Sequence, residues 1–83
     1  MAERRDRERL AAAWAAVLDG RSNGALARRL DVAPATVSRW ARGTRVANID
    51  FIKKALDAVG ASLAVRVELW AASGVPADVL RTP

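Results

Sequence analysis

The chain has 83 residues, a formal net charge of +5, and neither cysteine nor histidine. That length allows one small domain, and the missing residue types exclude disulfides, thiolate or imidazole metal sites, and catalytic schemes built on Cys or His. The hydrophobic share of 52% is inflated by alanine, which forms helices well but buries little area, so the composition implies helices around a lean core.

Twelve of the fourteen basic residues are Arg, and codon bias in a GC-rich genome accounts for that choice as well as function does. The longest apolar run, residues 10–18, falls far short of the roughly 20 residues needed to span a membrane. Arg4 and Arg5 ahead of an alanine-rich run look superficially like a signal peptide. Glu3, Asp6 and Glu8 cancel their charge and no small-residue cleavage site follows, so the expectation is a cytoplasmic protein with no membrane contact.

The charge is unevenly placed. Residues 1–20 sum to zero and residues 55–83 to −1. Residues 21–54 hold Arg21, Arg28, Arg29, Arg39, Arg42, Arg45, Lys53 and Lys54 against Asp31 and Asp50, a net +6. A basic excess confined to one segment is the electrostatic footprint of a nucleic-acid binder.

The first helix is expected over about Asp6 to Asp19, with Leu10, Trp14, Val17 and Leu18 in one stripe and Gly20 as its stop. Its interleaved arginines are read as solvating the helix start. Ser22 or Asn23 caps a second helix over Ala25 to Leu30, with Leu26, Ala27 and Leu30 inward. Asp31 occupies a turn position that calls for left-handed backbone, and Val32 anchors the turn. Pro34 suits the first turn of a third helix, which runs to about Arg42 with Val37 and Trp40 inward and is closed by Gly43. After a loop to Asn48, a fourth helix covers Ile49 to Val59, with Ile49, Ile52, Leu56 and Val59 inward and Gly60 as its stop. Residues 63, 65, 67 and 69 then alternate apolar, which reads as a strand over residues 62–70. Residues 71–83 form a tail with one helical turn from Pro76.

The stretch from Asn23 to Gly43 resembles the helix-turn-helix of the Xre/Cro/lambda-repressor superfamily. Two helices crossing steeply need a small residue at the crossing, which Ala27 supplies. Leu26, Leu30, Val32, Val37 and Trp40 supply the apolar contacts that lock the angle. The run Thr36-Val37-Ser38-Arg39-Trp40, followed by Gly43, is similar to that family's recognition helix. The likeness covers about residues 6–60. Three departures stand out: Asp31 where the family favours Gly, Asn23 where Gln is common, and Ala33 in place of a Ser or Thr cap.

The resemblance implies a mainly α fold, a lambda-repressor-like domain of four to five helices, whose third helix enters the DNA major groove. Pro34, Ala35, Ser38 and Arg39 would then face base edges, with Arg42 one turn on. Arg39 is the best base reader, because its fork matches guanine O6 and N7. Pro34 and Ala35 offer apolar contact to a thymine methyl. Asn23 would hold a phosphate at the start of the second helix, and Thr36, Thr44 and Arg45 are further phosphate candidates.

A lone amphipathic strand cannot satisfy its own backbone, and the chain offers no second strand. The expectation is therefore a homodimer in which this one C-terminal β-strand pairs with its copy through Leu63, Val65, Arg66, Val67, Glu68 and Leu69. Antiparallel pairing centred on Val67 sets Arg66 opposite the partner copy's Glu68, and Val65 opposite its Leu69. The functional expectation is a sequence-specific repressor or autoregulator on a palindromic double-stranded operator. The alternative is an antitoxin that also binds and neutralises a toxin protein, since lambda-repressor-like antitoxins often look similar. Enzymatic function is rejected for want of His, Cys, paired carboxylates and a phosphate-cradling Gly loop. No catalytic residue, metal or cofactor is expected.

Overall fold

The computed structural model describes residues 2–75, with side chains from residue 5 onward. Five α-helices follow one another: α1 (Ala2–Leu18), α2 (Asn23–Leu30), α3 (Pro34–Ala41), α4 (Ile49–Val59) and α5 (Leu63–Ala72). No strand occurs among the described residues.

Helix α1 begins earlier than its apolar stripe marks, because Ala, Glu and Arg are all good helix formers and carry the helix out into the charged segment. It ends where both Asp19 and Gly20 take positive φ, 48° and 84°. Ser22, not Asn23, caps α2, its Oγ accepting from the Ala25 N–H at 3.0 Å. Asp31 does adopt the left-handed conformation (φ 56°), and its N–H closes α2 on the last carbonyls. Asn48 caps α4 through Oδ1, which accepts from the Phe51 N–H at 2.9 Å.

The core lies where the helices meet. Leu10, Ala13, Trp14, Val17 and Leu18 from α1 pack with Leu26, Ala27 and Leu30 from α2, Val37 and Trp40 from α3, Ile52, Ala55 and Leu56 from α4, and Leu69 and Trp70 from α5. Trp14 and Trp40 stack at 5.2 Å between ring centroids, and Phe51 tilts against Trp40 at 5.5 Å. Trp40 therefore faces inward although it belongs to α3. Ala27 is fully buried at the α2–α3 crossing. Ile49, expected inward, is 44% exposed, and Ala55 takes the inward place on α4.

The segment expected as a strand is helix α5. Every residue from 63 to 72 except Arg66 and Glu68 is apolar, so one run satisfies both periods. Alternation at 63, 65, 67 and 69 coexists with the helical spacing of Val65, Leu69 and Ala72. Two physical terms select the helix. Ser62 caps it, its Oγ accepting from the Val65 N–H at 3.3 Å, and a helix satisfies its own backbone where a strand without a partner cannot. The expected cross-chain pairing of Arg66 with Glu68 is overturned with it, because both charges are paired within the chain. Arg66 donates to Asp57 Oδ1 at 3.0 Å and to the Ala61 carbonyl at 2.9 Å. Arg9 donates to both Glu68 carboxylate oxygens at 2.9 Å, tying α1 to α5. Leu69 is fully buried in its own core. The helical turn expected at Pro76 lies outside the described residues.

Candidate nucleic-acid interface

The α2–α3 pair is built around one close approach. Gly43 has φ 72°, which glycine adopts without strain. A Cβ there would fall on the backbone carbonyl of Arg7, so α1 passes directly against the end of α3. Thr44 completes that end: its N–H and its hydroxyl both donate to the Arg39 carbonyl at 3.1 Å. Its hydroxyl proton is therefore engaged within the chain.

With Val37 and Trp40 buried, α3 turns its opposite face outward. Pro34, Ala35 and Arg39 are exposed, Thr36 and Ser38 are half-buried, and Arg42 is exposed at the C-cap. No side chain caps the amino end of α3, because Ala33 has nothing to offer its N–H groups. The loop after Gly43 then returns toward this amino end. Arg45 and Asn48 join Thr36, Ala33, Val32, Trp40 and Phe51 around one open groove of about 360 Å³. The fold thus brings Thr36 and Arg45 together. Asn23, half-buried at the first position of α2, is not among the groove residues.

The basic residues divide by what they touch. Arg21 donates to the Leu18 carbonyl at 3.3 Å and Arg29 to the Ala58 carbonyl, so both tie helix ends. Lys54 sits 5.7 Å over the Phe51 ring. Arg39, Arg42 and Arg45 are exposed and make no ion pair among the described residues. Two contributions were missed in the sequence. Asn48 could have been found from its place just before the apolar period of α4. Arg29 anchors α2 to α4 through a backbone carbonyl, and a backbone carbonyl leaves no sequence signal.

A family model described as helix-turn-helix matches residues 15–65, the span from the last turn of α1 into α5. The chain belongs to this Xre/lambda-repressor-like helix-turn-helix family. No curated protein and no solved structure gives a significant match. Membership makes the chain a DNA-binding transcriptional regulator, in a family of regulators and not of enzymes. In helix-turn-helix proteins the second helix of the motif lies in the major groove, and that helix is α3 here. No helix among the described residues is long and apolar enough to cross a membrane.

Proposed function

We propose that this chain is a repressor or autoregulator that binds a palindromic operator as a homodimer, with α3 of each copy in the major groove. The observation that carries the reading is the outer face of α3: Arg39 stands exposed on the side opposite buried Val37 and Trp40. A guanidinium so placed can take guanine O6 and N7 with both arms. Pro34 and Ala35 present apolar surface to thymine methyls, and Ser38 contributes a hydroxyl. Around this reading face, Arg42, Arg45, Thr36 and Asn23 hold phosphates, which position the helix without reading sequence. The working compartment is the cytoplasm.

Selection of bound sites from random duplex DNA tests the reading. A consensus with two-fold symmetry is the expected result, and recovery of no consensus would overturn it. The antitoxin alternative calls for a protein-binding surface outside the DNA-binding elements. The exposed Leu63 and Val67 of α5 favour the existence of such a surface.

A further inference from the structure

Asn23 and Gly24 form the chain's single Asn-Gly pair, and the fold leaves both of its reacting groups unengaged. Asn23 is half-buried at the first position of α2, and its side-chain amide makes no hydrogen bond among the described residues. The Gly24 N–H stands second in the helix, too early for an intrahelical partner. The cap passes it over as well. Ser22 Oγ accepts from the Ala25 N–H at 3.0 Å, and the Ser22 carbonyl from the Leu26 N–H at 3.3 Å. A methyl group at Gly24 would meet nothing within 4 Å, so the space around this peptide is open.

We propose that Asn23-Gly24 is a site of spontaneous deamidation, and that the product loosens the chain's hold on DNA. Asparagine is among the thermolabile side chains, and a following glycine sets no Cβ in the way of ring closure. The Gly24 nitrogen attacks Asn23 Cγ. The N–Cγ bond forms, the Cγ–Nδ2 bond breaks, and Nδ2 leaves as ammonia with the proton that the Gly24 nitrogen gives up. Water then opens the five-membered imide. Attack at Cγ yields aspartate, and attack at the backbone carbonyl carbon yields isoaspartate, whose main chain runs through Cγ. Nothing but water is consumed.

Helical backbone holds the Gly24 nitrogen away from Cγ, so ring closure waits on opening of the first turn of α2. That opening breaks the Ser22 cap bond and the long bond from Leu26, while the buried Leu26, Ala27 and Leu30 can stay in place. The effect on DNA rests on the reading that Asn23 holds a phosphate. An amide donates to a phosphate oxygen, whereas a carboxylate has no proton to give and repels it. The helix itself tolerates the new charge, because the amino end of α2 is partly positive and its first turn holds no acidic residue. The aspartate product therefore stays folded while its grip on DNA fails. A copy on DNA has this amide held and the first turn closed, so it ages more slowly than a free one.

The test incubates the full chain in warm, mildly alkaline buffer and follows the peptide containing Asn23 by mass spectrometry. The amide-to-acid mass gain should accumulate there, and faster in Ser22→Ala by about 2- to 30-fold, the factor by which losing the cap opens the turn. It should disappear in Gly24→Ala, which the open space allows to fold like the parent, and in Asn23→Gln, whose ring would need a sixth member. With random-sequence duplex bound at low salt, the parent should gain the mass more slowly. Asn23→Asp should bind that duplex about 10- to 150-fold more weakly with an undiminished melting temperature, and Asn23→Gln should bind it like the parent. No mass gain in the parent, an equal gain in Gly24→Ala, or Ser22→Ala ageing no faster overturns the modification site. Asn23→Asp that binds like the parent overturns the link to DNA and the phosphate role of Asn23 together. Failure of the DNA reading looks different, because the parent then binds no duplex, and the mass readings still decide the chemistry.

Discussion

Helices α2 and α3 and helix α5 are of similar length, yet their sequences constrain them very differently. Between Asn23 and Gly43 the local signals agree at every position but Ala33, which leaves the amino end of α3 uncapped. Ser22 caps, Asp31 turns in the left-handed region, Pro34 opens α3, Gly43 closes it, and polar residues (Arg28 and Arg29, then Thr36, Ser38 and Arg39) separate the apolar positions at a helical period. In α5 only Arg66 and Glu68 interrupt an apolar run, so the pattern carries two periods at once. A segment is legible when its polar residues mark the face it does not bury. Where they are scarce, tertiary context decides.

The sharpest way to break this comparison is through Trp40, which belongs to the reading helix by position and to the core by burial. Trp40→Ala removes a side chain 2% exposed that stacks on Trp14 and packs against the tilted Phe51 ring. The expected loss is about 3–5 kcal/mol of stability, read as a shift in a denaturant midpoint. A variant that melts like the parent but no longer binds DNA would show that the two faces of α3 have been exchanged.

Arg39→Ala tests the other face. It should leave the melting profile unchanged, lower specific affinity by about 1–3 kcal/mol, and relax preference at one base pair per half-site. Titrations on matched and mismatched duplexes measure this, and undiminished discrimination would remove Arg39 from the readout.

Arg42→Ala and Arg45→Ala should weaken binding to all sequences alike. Each should reduce the slope of log affinity against log salt by about 1 if it neutralises one phosphate. An unchanged slope in both would place them away from DNA.

The smallest effect belongs to α5. Hydrogen bonds from Arg9, and its charge, hold the Glu68 carboxyl below the usual carboxylate range. Protonation therefore favours the unfolded chain, and the pair's stabilisation is present at neutral pH and lost as pH falls through the lowered value. Both side chains are about half exposed, so the effect is small. Melting temperatures of the parent and Glu68→Gln should differ slightly at neutral pH and converge in acid. A gap that widens in acid would contradict the pairing.

What the sequence concealed has one physical character. Trp40, Ala27, Asp31 and the α2–α3 crossing were readable because backbone conformation and burial at those positions demand particular residue types. The pairing of Arg9 with Glu68 and the meeting of Arg45 with Thr36 were not, because they depend on how separate helices are placed in space. Ile49 shows the same limit within one helix. It lies on the period of Ile52 and Leu56, but at the first position of α4 nothing packs over it closely enough to bury it.

The bare amino end of α3 has an evolutionary consequence. Ala33 stands in the N-cap position with extended backbone, exposed and making no capping bond. A hydroxyl there is worth about 0.5–2 kcal/mol, and both Ser and Thr codons lie a single nucleotide from those of Ala. A lineage driven toward higher temperature could gain that increment in one mutational step. In the proposed complex the same step would set a new hydroxyl at the mouth of the major groove, so the route to a hardier protein would also revise which operators it reads.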